Sequence, residues 1–555
     1  MSVGRRDFIV GTLGTAAAAQ LLGCSDDEAS NSSVGELALD TARFTHGVAS
    51  GDPLADKVIL WTRAVSADGQ PAMIEWVIAK DPALSDELQR GVTQSSATSD
   101  FTVKVDVAGL AAGTTYYYAF FVSGAGRSPI GRTRTLPTSA ARARLAFTSC
   151  ANFQNGYFNA YRAIANRLDL DVWVHVGDYI YEYAAGTYAD PMLPARAHLP
   201  AKEAVTLADY RGRYAQYRTD PDLLEVHRQH PLIIVWDDHE FANNANTDGA
   251  ENHSIDGSEG SWVDRKRAGS QAFLEWLPIR AAAGDPVAKI YRSFPFADLF
   301  DLIMLDTRMW ARTPQAGNDM GAFDGTNVGE PADWTNPARH IVGDEQEGWI
   351  EQQLGASKTR GAKWRLIGNQ VMFTQGRAPL DQRDPAYILF SDFWDGYQYD
   401  RDRVLNYIAN NGVQNTVFLT GDIHSSWALE ISKNPFDPNV YDPATGKNAV
   451  AVELVGPSVT SQALEGNPLA TAAPGLIARP NPHLKYAEFT KKGYVLIDVD
   501  ATRLQAEWWY VNDFKTPNAA ETAAKIFTVA STSARLIEAT VVSAAAPNPP
   551  AAAPA

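Results

Sequence analysis

The chain has 555 residues, 45% of them hydrophobic and 20% charged, which excludes a disordered polymer and leaves room for two or three domains around a large core. Its formal net charge of −17 excludes a basic grip on nucleic acid, so no nucleic acid is expected as a stable partner, and a solvated acidic surface accounts for the charge.

Residues 1–24 read as an export signal. Arg5 and Arg6 precede an apolar, Ala-rich run to Leu22 that is too short to span a bilayer stably, the pattern of twin-arginine export. LLGC at 21–24 resembles a lipobox, which makes Cys24 the expected lipidated first residue of the mature protein. The expected partners are therefore the twin-arginine machinery and the membrane, and the expected location is periplasmic or cell-surface. Residues 25–43, rich in Ser, Asp, Asn and Gly over 25–35, form a solvated tether.

Over 44–138, alternating runs at 57–63, 73–80, 101–108 and 115–123, separated by Gly, Pro, Asp and Ser, predict a small fibronectin III-like all-β sandwich. LAAGTTYYYAF at 110–120 resembles the aromatic corner of such modules. From 139 to 515 strands alternate with helical patterns, giving a layered α/β domain. Residues 156–169, 345–354 and 402–412 read as helices, the last with Gly412 as its stop. Trp508, Trp509 and Tyr510 suggest closing strands with a core role. Residues 516–555 form a C-terminal segment ending in an Ala/Pro tail expected to be disordered.

The α/β strands end in chemistry. DVWVHVGDYIYEY (171–183) starts as a buried strand and breaks at Gly177, placing Asp178 and Tyr181 on the loop beyond it. A carboxylate and a phenol there suit a hard cation, although an ordinary polar turn beside two packed tyrosines has the same pattern. ARLAFTSC places Cys150 at another strand end; with Cys24 acylated it has no disulfide partner, leaving core burial or metal ligation. Further ends carry Asp237, Asp238, His239 and Glu240, then Asp306, Thr307 and Arg308, then Asn369 and Gln370, then Asp422 and His424. Such a series fits a dinuclear site better than solvated loops, with Asp178 as the natural bridge. His175, on the strand itself, reads as a core residue or one that orients a ligand.

These motifs resemble those of PhoD-type alkaline phosphatases, in the calcineurin-like metallophosphatase superfamily and close in motif to purple acid phosphatases. GDYIY at 177–181 fits the GDxxY pattern, DDHE at 237–240 stands where relatives carry GNHE, and GDIH at 421–424 stands at their GHxH. LDTR at 305–308, GNQ at 368–370, WDGYQYDR at 394–401 and TGDIHSSW at 420–427 are similar to PhoD motifs in the same order, and the likeness runs from 44 to about 514. The resemblance implies a metallophosphatase αββα sandwich and an enzyme hydrolysing phosphate monoesters and diesters through metal-activated hydroxide. A diesterase or phospholipase-like hydrolase and a non-catalytic phosphate-binding lipoprotein are the alternatives. It implies Fe(3+) held by Cys150, Asp178, Tyr181 and His424, and Ca(2+) faced by Asp178, Asp238, Asn369 and Asp422, with Gln370 the substitute for Asn369. His239 either donates to a phosphate oxygen or leaving group, or orients Asp238. Arg308 is either a phosphate clamp or a strand-end ion pair. Phe241 and Ala242 depart from an expected Val-Asp pair, so Asp238 is the calcium donor that the resemblance implies from that loop.

Overall fold

The computed structural model describes residues 37–554 apart from 67, 123–125, 255, 282–283, 285, 318–328 and 378–387. Arg5, Arg6 and Cys24 lie outside the described residues. Among the described residues no helix is long and apolar enough to cross a membrane.

Two sheets carry the α/β body. In the ten-stranded sheet Arg142–Thr148, Val172–His175 and Leu232–Ile234 run parallel as neighbours. In the seven-stranded sheet Phe300–Met304, Trp364–Asn369, Thr416–Thr420 and Ala449–Val455 do the same. Period-2 alternation decides which side each residue serves. Leu366, Val417 and Leu419 join the core between the sheets, while Ile367 and Phe418 join a second core under the helices Gly343–Arg360 and Gln398–Asn410. The central core also takes in Tyr161 and Ile164 of Asn159–Ala165 and Leu223 and Val226 of Pro221–Gln229, so helices cover the other outer face. This is the αββα sandwich that the motifs implied.

The N-terminal β-sandwich shares a leaf with that body. Glu87–Gln94, Met73–Ala79, Thr115–Val122 and Gly131–Arg134 form a separate four-stranded sheet. The facing strands Val48–Gly51, Lys57–Arg63 and Thr102–Ala108 instead continue the ten-stranded sheet, joined by the parallel pairing Gly51↔Leu232. Val58, Leu60, Ile74, Ile78, Tyr118 and Phe120 fill the space between the leaves. In the aromatic corner the Ala111 N–H donates to the Tyr116 hydroxyl at 2.8 Å.

Beyond 515 the chain first extends the large sheet, ahead of the Ala/Pro stretch that begins at 544. Glu521–Ala530 and Ile537–Ala539 extend the ten-stranded sheet past Arg503–Val511. The Ala/Pro stretch has few side chains to pack, but its backbone carbonyls find donors: Tyr117 Oη donates to Ala551 O at 2.7 Å and Arg228 Nη1 to Pro554 O at 2.6 Å. Gln229 exchanges two hydrogen bonds with the Ala553 backbone, 3.2 and 3.0 Å.

Candidate metal centre

Both sets of parallel strands aim their C-terminal ends at one place, where α/β sheets carry their chemistry. Two glycines let the loops meet. A Cβ on Gly177, which has φ +112°, would lie 2.4 Å from Asp237 Cβ, and one on Gly421 would lie 2.6 Å from Ser149 Cβ on the opposite sheet. Cys150, Asp178, Asp422 and His424 all adopt left-handed backbone, with φ of 62°, 57°, 65° and 57°. Left-handed backbone is costly for residues with a side chain, and its concentration on four strand-end residues marks a functional site.

Three groups of donor atoms form here, each with its atoms within 4.8 Å of one another: Cys150, Asp178 and His424; Asp178, Asp238 and His239; Asp237, Asp238 and Asp422. Asp178 belongs to the first two and Asp238 to the last two. Tyr181 joins the first group, its hydroxyl donating to Asp178 Oδ2 at 2.8 Å, lying 3.0 Å from His424 Nε2 and accepting from Ser461 Oγ at 2.7 Å. His424 Nδ1 lies 2.8 Å from the Gln462 carbonyl, which holds the proton there and leaves the Nε2 lone pair facing Tyr181 and Asp178. Cys150 Sγ donates to Ser149 Oγ at 3.1 Å.

The electrostatics fit a bound cation. Burial pushes Asp178 and Asp422 well above the usual carboxylate range, reinforced by the acids around them. Burial also raises Asp237 to about 6 against the pull of Arg308. It pushes up Asp238 too, but Arg308 and His239 prevail and hold that group at about 2. Burial raises the Cys150 thiol and Tyr181 phenol and lowers His424 to about 3. Asp237 Oδ2 and Asp238 Oδ1 are buried without a hydrogen-bond partner among the described residues. A metal ion reverses this logic by stabilising carboxylate, thiolate and phenolate and by taking up free oxygens, so the residues present fit one.

Two residues named from the sequence have their polar atoms engaged elsewhere. Arg308 is fully buried with its donors engaged: Nε bonds Asp237, Nη1 both oxygens of Asp392 at 3.2 and 3.0 Å, and Nη2 Asp422 at 2.6 Å. It balances charge and is not disposed as a phosphate clamp. Asn369 turns its amide into the core, where Oδ1 accepts from Trp394 Nε1 at 3.0 Å and Nδ2 donates to Val371 O. Gln370 is no substitute, since Oε1 accepts from Thr307 and Nε2 donates to Trp236 O and Leu305 O. Phe241, in the departing pair, packs on Trp236 at 5.1 Å, and the Asn244 N–H after it donates to Asp238 Oδ2 at 2.6 Å. His175 is a core residue, lying 3.0 Å from Tyr161 Oη and accepting from the Gly177 N–H at 3.2 Å.

Other residues become visible only in three dimensions. Glu240 accepts from the N–H groups of Asp178, Tyr179 and Asp237 and so ties two loops together. Glu182 accepts from His239 Nδ1 at 2.8 Å and from Asn243 and Asn252. Asp392 and Arg312 complete the ion-pair network behind Arg308. Glu240 sits inside the DDHE motif and Glu182 directly follows GDYIY; nothing in the sequence brought Asp392, Tyr188 or Ser461 to the site.

A two-sheet α/β sandwich with a carboxylate cluster shared across its strand tips defines a metallophosphatase-type phosphoric ester hydrolase. The fold is that of the purple acid phosphatase PPD1 from yellow lupin (Lupinus luteus) seeds, with a TM-score of 0.51 and 12% identity over 87% of this chain and 73% of that one. The chain belongs to the PhoD-like phosphatase family, whose signature matches residues 145–508, with that of the PhoD-like phosphatase N-terminal domain matching 29–137. It is 35% identical over 491 residues to alkaline phosphatase D of Bacillus subtilis (strain 168), covering 86% of this chain and 79% of that protein. It also superposes on a solved structure of PhoD with a TM-score of 0.79 and 31% identity, over 90% of this chain and 93% of that one.

Proposed function

We propose that the protein is an exported alkaline phosphatase that uses a ferric ion and calcium to release phosphate from monoesters and diesters. The observation that supports this most is the shared carboxylate Asp178, which belongs to a mixed sulfur, nitrogen and oxygen group on one side and to a group with Asp238 on the other. Cys150, Asp178, Tyr181 and His424 would hold the ferric ion, and Asp178, Asp238 and Asp422 the calcium, with Asp237 beside them. Thiolate, phenolate, carboxylate and imidazole suit the former, and oxygen donors the latter. When bound, the two ions supply Lewis acidity toward the phosphoryl oxygens and the attacking water.

The chain's own residues handle the proton. Glu182 fixes the Nδ1 side of His239, and His239 Nε2 has no hydrogen-bond partner among the described residues. The buried Glu182 carboxylate on Nδ1 favours the protonated imidazole, which places a proton on Nε2 for the leaving-group oxygen. Arg308 keeps the acidic loops together.

Metal analysis of protein purified after native export, run beside turnover of a phosphate monoester and a diester, tests the reading. Iron and calcium with phosphate release are expected, and activity surviving exhaustive calcium removal overturns the calcium assignment. Phenolate and thiolate on ferric iron give a visible charge-transfer band, which Tyr181→Phe should shift or bleach and Cys150→Ser should weaken through lost iron. A colourless iron-loaded protein overturns the ferric assignment. For export, lysines in place of Arg5 and Arg6 should strand precursor in the cytoplasm, and Cys24→Ala should release the protein from membranes; normal export or unchanged membrane retention refutes the respective proposal.

A further inference from the structure

We infer that Tyr183 and Tyr188 form a π surface at the mouth of the metal centre that takes the planar part of the substrate's leaving group, making esters of aryl alcohols or nucleosides better substrates than simple alkyl phosphates. The inference rests on the phosphatase reading and adds the organic half of the substrate.

The rings stand where a leaving group emerges. Tyr183 lies 5.2 Å from His239, ring centre to ring centre, beside the group assigned to protonate the departing oxygen. Tyr188 stacks on His424 at 6.1 Å with 24° between the planes, and the two tyrosines meet edge to face at 5.7 Å. Both are partly exposed, as are Asp422 and His424, whereas Tyr181 and His239 behind them are buried. The rings are fixed differently. Tyr188 Oη donates to Gln462 O at 2.9 Å, and its backbone is held at a φ of 47°, an uncommon conformation for a residue with a side chain. Tyr183 has no side-chain hydrogen bond among the described residues. A core tyrosine would be hidden and bond its hydroxyl; this one is partly exposed beside the reactive groups, with its ring stacked 6.4 Å from that of Tyr181. Aromatic faces bind planar groups by stacking, without regard to hydrogen-bond pattern, so aryl esters and nucleotides share the feature recognised.

The test compares a nucleoside 5′-monophosphate with glycerol 3-phosphate. Both expel a primary alkoxide, so the ratio of their kcat/KM values isolates the planar group from leaving-group chemistry. Phenyl phosphate provides a second arm with the ring adjacent to oxygen. In the metal-loaded protein, Tyr183→Leu should lower the nucleotide or phenyl ratio to glycerol phosphate about tenfold. Tyr183→Phe should keep it, and Tyr183→Trp should hold or raise it. Loss in the nucleotide arm identifies a nucleoside ester, and loss confined to the phenyl arm identifies an aryl ester. Ratios unmoved by both Leu and Trp overturn the inference while leaving phosphatase activity in place. Wild-type protein that is loaded with metal and releases no phosphate from any of the three esters sinks the phosphatase reading and this inference with it.

Discussion

The two halves of the metal centre are built on different principles. Around Cys150, Tyr181 and His424 each donor is aimed by a neutral neighbour: Ser149, Ser461 and the Gln462 carbonyl. Around Asp237, Asp238 and Asp422 the donors are all carboxylates, held by the permanent charge of Arg308. The first half keeps its geometry by hydrogen bonding whatever its charge, whereas the second depends on charge balance. Asp178 joins them, so the halves are coupled through one side chain.

Removing the coupling should have the largest effect. Asp178→Asn takes a donor from both halves and should lower kcat/KM by roughly a thousandfold or more, the scale of losing several kcal/mol of metal assistance. Phosphate-release kinetics with metal content measured in parallel check this, and an enzyme retaining a tenth of its activity would mean the halves work apart. Next, Arg308→Met leaves buried carboxylates without their counter-charge and should cost about 3–5 kcal/mol of unfolding free energy. Ser461→Ala in the neutral half should cost about 1 kcal/mol. Equal losses by denaturant titration would erase the distinction between the halves.

The acidic half should also respond to pH. Asp237 is raised from 3.8 to about 6 and Glu240 from 4.5 to about 8, both chiefly by burial. A raised acid binds its proton more tightly in the folded state, so its contribution is complete below the ordinary value and lost as pH climbs through the folded one. His239, raised by Asp238, Glu182 and Asp178 against burial, acts in the same direction above its ordinary 6.5. Buried neutral histidines such as His175 and His424, both lowered to about 3, act the other way below their ordinary 6.5, so melting curves of chelated protein should shift to lower temperature between pH 7 and pH 8, and added cation should oppose the shift; a rise across that window would contradict the charge-balance account. The smallest effect is a control far from both halves. Tyr116→Phe loses the corner hydrogen bond to Ala111 and should cost about 1 kcal/mol with kcat unchanged.

The sequence showed strand ends better than it showed what surrounds them. Hydrophobic runs that stop at Gly177 or Gly421 leave a readable local pattern, and Cys150, Asp178, Tyr181, Asp238, Asp422 and His424, named that way or by motif, lie together in the structure. The direction of a side chain is what the pattern leaves out. Asn369 sits at a strand end like the others, but Trp394, a residue of a distant short helical turn, claims its amide oxygen. Arg308 also follows a strand, and only the convergence of Asp237, Asp392 and Asp422 decides that its fork is filled. The tail's contacts leave no trace in the sequence because Ala and Pro carry no side-chain signal, and they run through backbone carbonyls to Tyr117, Arg228 and Gln229. The shared leaf of the N-terminal sandwich was illegible for a related reason, since the pairing Gly51↔Leu232 joins segments with no common pattern.

The strand that leads to Cys150 has Gly493–Asp500 as one of its two neighbours, with Asp500 opposite Arg142. During synthesis the Arg142–Thr148 edge therefore waits for most of the chain to leave the ribosome before it is covered, and contacts that span such separations form slowly. An uncovered apolar edge strand invites pairing with other chains. A twin-arginine route, which carries finished proteins, would spare this molecule the task of pairing its first α/β strand with one of its last after being threaded across a membrane unfolded.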